Sequence, residues 1–379
     1  SATGLSGVRN VVLCASCKGG VGKSTTSVNL AYSLHAQGHK VGILDVDIYG
    51  PSLPTMVTPT RPFNPAEDIV GNAISPVDGD GVKLMSMGYI NPFDNFVLRG
   101  AKVSPLVQQL ITTTQWGDLD YLIIDMPPGT GDIHLTLAQM DGLRIDAAVI
   151  VTTPQRLSFV DVVKGVEMFD KVGIPSVAVV ENMAYLEANS ATESEHSNSD
   201  EMAAFAAKYS LPAEGVEELR QLMGAKQFVF GQGHRQRLLD MWGIINSFSV
   251  PIDPTVARQG DSGVPFVKAF PRSSAAAIYA KLAEAVVSEV RKLKEKADNT
   301  PKLIYDPSAK EFVINSQQRI SAVDLRRMCR SPANNPNAIP ATLAPVDWVP
   351  LGRYAVSIQW NDGHQSLMPY RAFVDGYES

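Results

Sequence analysis

Short apolar runs alternate with helical patterns along the first ~270 residues of the chain. The runs are rich in β-branched residues and predict buried strands at 8–16, 41–47, 121–125, 146–152, 176–181 and about 247–250. Apolar positions recur at helical spacing from Thr25 to Gln37, and Gly38 suits the end of that helix. This alternation predicts an α/β fold whose mostly parallel sheet is covered by helices on both faces.

The pattern changes after a long helix that is predicted at 273–296. The last ~80 residues carry short strand patterns, a turn signal at Asn361-Asp362-Gly363 and a Pro-rich connection at 332–350. We therefore expect a small β-rich C-terminal domain. The predicted division is a linker remnant at 1–9, an α/β domain at 10–298 and the β-rich domain at 299–379.

One segment inside the α/β domain also differs in composition. Residues 187–201 hold five acids, several serines and no Lys or Arg, which indicates a surface loop. We place an acidic insert at about 187–227.

Composition narrows the classes of partner. The net charge of -6 argues against nucleic acid, because a phosphate-binding surface needs clustered Lys and Arg. No apolar run approaches the ~18 residues of a membrane helix, so membrane insertion is not expected. Three cysteines in 379 residues do not make a disulfide framework and favour a reducing compartment. The chain opens on Ser1, and we expect that a preceding segment, with any targeting peptide, was removed.

A glycine loop follows the first predicted strand, within LCASCKGGVGKST at 13–25. Gly19, Gly20 and Gly22 let the backbone turn its N–H groups toward a phosphate, and the next helix points its positive N-terminus at the anion. Lys23 supplies a charge to the β- and γ-phosphates, and Ser24 offers a hydroxyl to Mg²⁺. The sequence therefore predicts a nucleotide site.

Acidic residues end two of the predicted strands near this loop. Asp125 ends LIID and would bring a carboxylate beside Mg²⁺. Asp47 ends the strand after the first helix and could orient the attacking water. Asp45 lies two residues earlier on the same strand face, so the sequence alone separates their roles poorly.

The loop Lys18-Gly-Gly-Val-Gly-Lys-Ser resembles the deviant Walker A motif of the MinD/ParA-type P-loop ATPases. DVDIYGPSLPTM (45–56), IIDMPPGTGD (123–132), VTTPQ (151–155) and VVENM (179–183) make residues 9 to about 270 similar to the Mrp/Nbp-type iron–sulfur carriers. YAVSIQWNDGHQSLMPY (354–370) resembles a small domain of γ-butyrobetaine hydroxylases. The combination looks like the plastid High-Chlorophyll-Fluorescence branch of the carrier family.

The resemblance implies ATP, Mg²⁺ and a sandwich homodimer in which Lys18 reaches the partner's nucleotide. It assigns water orientation to Asp47, adenine recognition to Asn182 and Mg²⁺ to Ser24, Asp47 and Asp125. The expected catalytic residues are Lys18, Lys23 and Asp47. The expected ATP-binding residues are Lys18, Gly19, Gly20, Val21, Gly22, Lys23, Ser24, Thr25 and Asn182. The family also implies a [4Fe–4S] cluster and acceptor proteins. For the plastid branch it implies the chloroplast stroma, and otherwise the cytoplasm is expected.

Two metal sites of the relatives are incomplete in this chain. Carriers hold the cluster with a C-x-x-C pair a few residues beyond ENM, where this chain reads AYLEANSATESEH. The zinc-binding positions of the C-terminal relatives correspond here to Cys329, Ser331, Asn334 and His364. Since structural zinc takes four Cys or His ligands, we expect no zinc there. His134 and His234 show no metal-ligand spacing. Cys17 and Cys329 remain as possible cluster ligands.

Cys14 and Cys17 form a C-x-x-C pair, but Cys14 lies inside a predicted strand. Residues three apart on a strand are ~10 Å apart and point to opposite faces, so we expect neither a clamp nor a disulfide. Cys14 is predicted to be a core residue.

Two classes of function stay open. The first is an ATP-hydrolysing carrier or scaffold that delivers [4Fe–4S] clusters. The second is an ATP-switched dimeric adaptor that binds partners without a cluster. A metabolic kinase fits less well, because Lys18 favours a dimeric switch.

Overall fold

The structure is a computed structural model of the chain. It describes residues 4–91, 103–129, 132–140, 142–186, 205–210, 212, 215–216, 227–228, 244–295, 301–329, 331, 334–351 and 355–374. Within these ranges, no helix combines the length and the apolar composition that crossing a bilayer requires. The acidic run at 187–201 lies outside the described residues.

An eight-stranded sheet forms the centre of the α/β part, in the order β10-β9-β8-β1-β7-β2-β6-β5. Its strands are β1 (Val11–Ala15), β2 (Val41–Asp45), β5 (Val77–Gly79), β6 (Val82–Ser86), β7 (Tyr121–Asp125), β8 (Ala147–Thr152), β9 (Ser176–Glu181) and β10 (Ser247–Ser249). Neighbours are parallel except β5 and β6, which are antiparallel. A separate two-stranded ribbon pairs β3 (Ile69–Val70) with β4 (Ala73–Ile74). The predicted α/β fold is confirmed.

Both faces of the sheet are buried. In β1, Val12 and Cys14 belong to one apolar core and Leu13 and Ala15 to the other, because successive side chains of a strand point to opposite faces. All five residues of β1 are buried. A strand that is covered on both faces reads as a continuous apolar run, and this made it visible in the sequence.

Helices cover the two faces. The described helices of this part are α1 (Lys23–Ala36), α2 (Leu53–Met56), α3 (Pro65–Asp68), α4 (Met87–Ile90), α5 (Val103–Thr113), α6 (Asp132–Ala138), α7 (Arg156–Lys171), α8 (Pro254–Ser262), α9 (Phe266–Ala269) and α10 (Ser274–Glu295). Helices α1 and α10 contribute to one core, for example through Val28 and Tyr279. Helices α5 and α7 contribute to the other, through Val107 and Phe169.

The C-terminal part consists of two antiparallel three-stranded sheets. The first contains β11 (Leu303–Asp306), β12 (Glu311–Ile314) and β13 (Gln318–Ser321), and the second contains β14 (Pro345–Leu351), β15 (Ala355–Trp360) and β16 (Gln365–Pro369). Helix α11 (Ala322–Arg327) and a 3₁₀ turn (Tyr370–Ala372) complete it. Phe312 and Trp360 meet edge to face at 6.2 Å in its core.

Two element predictions need correction. Strand β2 ends at Asp45 and not at Asp47, because the Asp47 amide donates to the Asp45 carboxylate at 3.0 Å instead of continuing the ladder. The predicted Pro-rich connection at 332–350 contains most of β14. Among the described strands it pairs with β15 alone, so Pro345 and Pro350 occupy an edge, where a missing N–H donor is tolerated.

Candidate nucleotide site

The glycine loop connects β1 to α1 at the carboxyl edge of the parallel strands. Gly20 and Gly22 have φ of +75° and +84°, in the left-handed region that favours glycine. A Cβ on Gly19 or Gly20 would meet nothing within 4 Å, so there is open space beside this part of the loop. A Cβ on Gly22 would lie 2.1 Å from the amide nitrogen of Asn182. The loop therefore combines an open side with a close backbone approach.

Asp125 lies beside the loop because β7 is adjacent to β1. The register pairs Asp125 with Cys14, near the end of β1. Lys23 Nζ donates to Asp125 Oδ1 at 2.7 Å, and both side chains are buried. Ser24 Oγ donates to Asp125 Oδ2 at 2.5 Å. The structure thus brings together three of the residues that the sequence predicted for the site.

The ion pair determines the charge state of Lys23. Burial disfavours the charged amine, but the charge of Asp125 and its hydrogen bond outweigh burial and raise the pKa of Lys23 above its ordinary value. Lys23 is therefore cationic at neutral pH.

Two serines that the sequence analysis missed also line this cluster. Ser27 Oγ donates to Asp125 Oδ1 at 2.6 Å, and Ser52 Oγ donates to Ser24 Oγ at 3.2 Å. Ser27 is four residues after Lys23, so helical spacing could have indicated it. Ser52 had no such signal, because the fold of a loop brings it to Ser24.

The two acids of the second strand lie in different surroundings. Asp45 is 1% exposed, and burial together with the neighbouring charge of Asp125 raises the pKa of Asp45. Asp47 is half-buried, and its Oδ1 accepts from the Gly50 amide at 3.3 Å. Among the hydrogen bonds between described residues, none joins the Asp47 carboxylate to Ser24 or Asp125. The proximity of Asp45 to Asp125 follows from the β2–β7 register, which pairs them.

The remaining predicted residues surround the loop. Lys18 is exposed, and its carbonyl accepts from Ser16 Oγ at 2.9 Å. Asn182 follows β9, is 9% exposed and donates its amide to the Val21 carbonyl at 2.9 Å. Thr25 is half-buried in the first turn of α1. Asn182 therefore supports the loop directly, in addition to any contact with a base.

The donor set fits a nucleotide with a divalent cation. The Ser24 hydroxyl and the Asp125 carboxylate are hard oxygen ligands of the kind that Mg²⁺ prefers, and they already lie together. A buried, cationic Lys23 and open space beside Gly19 and Gly20 suit a phosphate group.

The first two cysteines have different environments. Cys14 lies inside β1 with no exposed surface, and burial raises the pKa of its thiol to about 12. Cys17 is half-buried, and a Cβ on Gly165 would lie 2.6 Å from its sulfur, so it packs against α7. All three cysteines are among the described residues, and no disulfide joins them. The predicted core position of Cys14 is confirmed.

A second polar cluster lies in the C-terminal part. Cys329 Sγ is 3.4 Å from His364 Nε2, and Asn334 donates to the Cys329 carbonyl at 2.5 Å. Arg326 is 4% exposed and donates to Asn334 Oδ1 and, at 3.5 Å, to Asp362 Oδ2. Partial burial and the charge of Arg326 lower the pKa of His364 against the opposing effect of Asp362. The fold thus brings Cys329, Asn334 and His364 together near the Arg326 guanidinium, and the Asn334 backbone amide donates to the Ser331 carbonyl at 2.9 Å.

Among the described residues, no three or more His, Cys, Asp or Glu side chains form a group that could hold a metal ion. His134 is 2% exposed and packs against Phe169 at 6.0 Å, which is a core position. His234 lies outside the described residues.

Comparison with family models identifies both parts of the chain. Residues 7–224 match the model described as ParA, NUBPL iron-transfer P-loop NTPase. Residues 311–372 match the N-terminal model of γ-butyrobetaine hydroxylase-like proteins.

Comparison with curated proteins gives relatives over most of the chain. The chain is 39% identical to the chloroplastic Fe-S cluster assembly factor HCF101 of Oryza sativa and 40% identical to that of Arabidopsis thaliana, over 97% of this chain in both. It spans 64% of the length of these plant relatives. An iron-sulfur cluster carrier protein of Pseudomonas fragi is 42% identical over 74% of this chain and 86% of its own length.

One solved structure is similar in both sequence and fold. It is a nucleotide-binding protein from Archaeoglobus fulgidus in complex with ADP, with a TM-score of 0.50 and 29% identity. The match covers 68% of this chain and 88% of that one.

Proposed function

Because the chain belongs to the ParA-type, NUBPL-like family of iron-transfer P-loop NTPases, we propose that it binds and hydrolyses ATP in order to deliver [4Fe–4S] clusters to acceptor proteins. The chain spans 64% of its plant relatives, so the activity and partners of the whole protein belong to this proposal. The observation that carries it is the cluster of buried Lys23, buried Asp125 and half-buried Ser24 beside an open glycine loop.

The residues of the nucleotide site each have a role in this proposal. Lys23 exchanges its bond to Asp125 for the β- and γ-phosphates, and backbone amides of residues 18–25 surround them. Ser24 and Asp125 would hold Mg²⁺, which would supply charge neutralisation at the transferring phosphate. Asp47 orients the attacking water, and Asn182 contacts the adenine while it supports the loop.

The exposed Lys18 suits a role across a dimer. A side chain that points into solvent at the start of the loop can reach a nucleotide in a second copy of the chain. We therefore propose a homodimer in the ATP state. In Lys18→Ala, ATP binding should persist while hydrolysis is lost, and wild-type specific activity should rise with protein concentration. A concentration-independent activity together with a monomeric mass in ATP would contradict this arrangement.

The iron–sulfur cluster is cargo in this proposal. The surroundings of the two cysteines favour Cys17 over Cys329 as its ligand. Cys17 is half-buried beside the loop, whereas Cys329 is 5% exposed and contacts His364. One cysteine cannot hold a [4Fe–4S] cluster, which takes about four ligands. Cys17 from two copies, with ligands from an acceptor, would give a transient cluster at an interface.

The absence of a three-ligand group among the described residues also favours a second candidate. In this alternative the protein is an ATP-switched dimeric adaptor that docks partners and carries no cluster. Both candidates share the nucleotide site. They differ in whether iron and sulfide remain on the protein.

Anaerobic reconstitution separates the two candidates. Wild type, Cys14→Ser, Cys17→Ser and Cys329→Ser are incubated with iron and sulfide, and iron per chain and visible absorption are measured. The carrier predicts a substoichiometric cluster that Cys17→Ser abolishes and Cys14→Ser retains. No cluster in wild type, with ATP hydrolysis intact, would favour the adaptor. ATP hydrolysis that Lys23→Ala does not reduce would contradict both.

Location follows the same relatives. The plant proteins of this family are named chloroplastic, and on that basis we propose the chloroplast stroma. Acceptors there would be proteins that require iron–sulfur clusters. Fluorescence microscopy of the full-length protein with a C-terminal tag tests the location.

A further inference from the structure

Asp45 is a fully enclosed carboxylate at the carboxyl end of β2. It is 1% exposed, and no ion pair to a described residue neutralises it. The β2–β7 register places it opposite Asp125, another buried carboxylate. Burying a second acid next to the first is unfavourable, and this unfavourable environment is also what raises its pKa. A carboxylate in this environment is therefore expected to have a specific structural or functional role.

The reason lies in the groups that Asp45 binds. Its Oδ1 accepts from the Asp47 amide at 3.0 Å. Its Oδ2 accepts from the Leu53 amide at 3.2 Å and from Ser86 Oγ at 3.3 Å. One carboxylate therefore holds both ends of the segment 46–53 and ties it to the end of β6.

The bond to Leu53 replaces a missing helix cap. Leu53 is the first residue of α2, and the preceding Ser52 makes no side-chain cap bond. The amides at a helix start need an acceptor from outside the helix, and Asp45 supplies it to Leu53. The Ser52 hydroxyl is thereby left to contact Ser24 Oγ at 3.2 Å.

The segment 46–53 carries two groups of the nucleotide site. Asp47 is the residue assigned to the attacking water, and Ser52 contacts the hydroxyl that is assigned to Mg²⁺. Neither is held by the main sheet, because β2 ends at Asp45. Asp45 bonds the backbone at Asp47 and at Leu53, the residue that follows Ser52.

We propose that Asp45 is a positioning residue for ATP hydrolysis, which holds Asp47 and Ser52 beside the phosphate loop without touching the nucleotide. The inference rests on the proposed ATPase function. It separates the two acids that the sequence could not distinguish: Asp47 acts on the reaction, and Asp45 acts on Asp47.

The test compares Asp45→Asn and Asp45→Ala with wild type. We expect kcat to fall roughly 3- to 10-fold in Asp45→Asn, which keeps one acceptor oxygen, and roughly 10- to 100-fold in Asp45→Ala. The KM for ATP and the affinity for ADP should stay within about threefold, because the loop and Lys23 are unchanged. Amide hydrogen exchange in peptides that cover 46–56 should speed up roughly tenfold in Asp45→Ala.

Asp68→Asn is the matched control. Asp68 is a buried carboxylate of 2% exposure that accepts from Arg61 and from the Asn64 amide, outside the nucleotide site. Its variant should lower stability and leave kcat per folded molecule unchanged. An equal fall of kcat in Asp68→Asn would show that Asp45 acts only through general stability and would overturn the inference.

Two further outcomes would overturn it. The first is wild-type kcat and wild-type exchange in both Asp45 variants. The second is a loss of ADP affinity in proportion to kcat, which would place Asp45 in binding. If Asp45→Ala does not fold, Asp45→Asn alone decides. If wild type does not hydrolyse ATP, the proposed function fails, and unchanged exchange at 46–56 would still show separately that Asp45 does not hold the segment.

Discussion

Two buried cations in this molecule have opposite surroundings. Lys23 is 7% exposed and Arg326 is 4% exposed, and each is bonded to a carboxylate. Open space begins beside Lys23, where a Cβ on Gly19 or Gly20 would meet nothing within 4 Å. The guanidinium of Arg326 lies instead among side chains of α11, a loop and a turn.

The difference shows how a buried charge can serve binding or structure. A buried charge beside an accessible loop can exchange its partner for a ligand. The ion pair with Asp125 keeps Lys23 charged for such an exchange. A buried charge whose partners come from separate segments joins those segments. Arg326 joins α11 to Asn334 and to the turn at Asp362 through its guanidinium.

The largest effect is expected for Lys23→Ala. Charge-assisted hydrogen bonds contribute roughly 1.5–3 kcal/mol each, and Lys23 should make more than one to the phosphates, so ATP affinity should fall at least about 100-fold. Calorimetry with ATP and Mg²⁺ measures this. The control is Lys268→Ala, which removes an exposed lysine paired with Asp80 and should bind like wild type. Undiminished ATP binding in Lys23→Ala would refute the site.

Arg326→Ala should be the next largest effect, and it should concern stability alone. It leaves Asp362 and Asn334 without their buried partner, which costs about 3 kcal/mol. Fluorescence of Trp348 and Trp360 should report unfolding of the C-terminal part at lower denaturant, with ATP affinity unchanged.

The neighbouring Arg327 provides the control for this comparison. Arg327 has 57% of its side chain exposed and pairs with Asp324 at 3.0 Å on the same helix. An exposed pair contributes less than about 1 kcal/mol, so Arg327→Ala should be nearly neutral. Equal losses in the two variants would mean that burial does not distinguish them. A loss of ATP affinity in Arg326→Ala would show that the Arg326 cluster and the nucleotide site are not independent.

The sequence predicted the cluster around Lys23 better than the cluster around Arg326, and there is a physical reason. The glycine loop is continuous in the chain, and Asp125 ends an apolar run, so both were visible in the local sequence. Cys329 and His364 are 35 positions apart, and the contact of Arg326 with Asp362 depends on how a turn folds back.

The contacts of Asp45 illustrate the same limit inside the α/β part. Its partners Leu53 and Ser86 come from a loop and from a different strand, and no periodic pattern connects them. The edge strand β14 was not predicted, because its prolines usually indicate a connection and not a strand. Strand and helix identity therefore came from periodicity, whereas tertiary hydrogen bonds did not.

The cysteines extend the comparison to reactivity. Cys17 borders the open loop and is half-buried, whereas Cys14 and Cys329 are buried. Alkylation of the native protein at pH 8, read by mass spectrometry, should modify Cys17 at least about tenfold faster than the other two. The high pKa of Cys14, about 12, adds a deficit of thiolate to its burial. Denatured protein is the control, because all three cysteines should react alike there. Labelling of Cys14 as fast as Cys17 in the native protein would contradict the placement of Cys14 inside β1.

The smallest effect is expected from the titration of His364. Partial burial and the nearby Arg326 lower the pKa of His364 from its ordinary 6.5, so the folded state prefers the neutral ring. The unfolded chain therefore binds a proton more readily than the folded one. The contribution of His364 to stability is fully present above pH 6.5 and is lost as pH falls through 6.5 toward the lower pKa of the folded state.

His364→Gln removes this titration and keeps a polar side chain next to Cys329. Denaturant unfolding of the C-terminal part, followed by Trp360 fluorescence from pH 8 to pH 5, should show a shallower decline in the variant than in wild type. The two proteins should run parallel above pH 7.5, where the ring is neutral in both states, and this range is the internal control. A wild-type stability that rises as pH falls below 6.5 would have the wrong sign. It would mean that the charge of Asp362 affects the pKa of His364 more than the charge of Arg326 does. The contrast between the cluster around Arg326 and the loop at Lys23 would then fail.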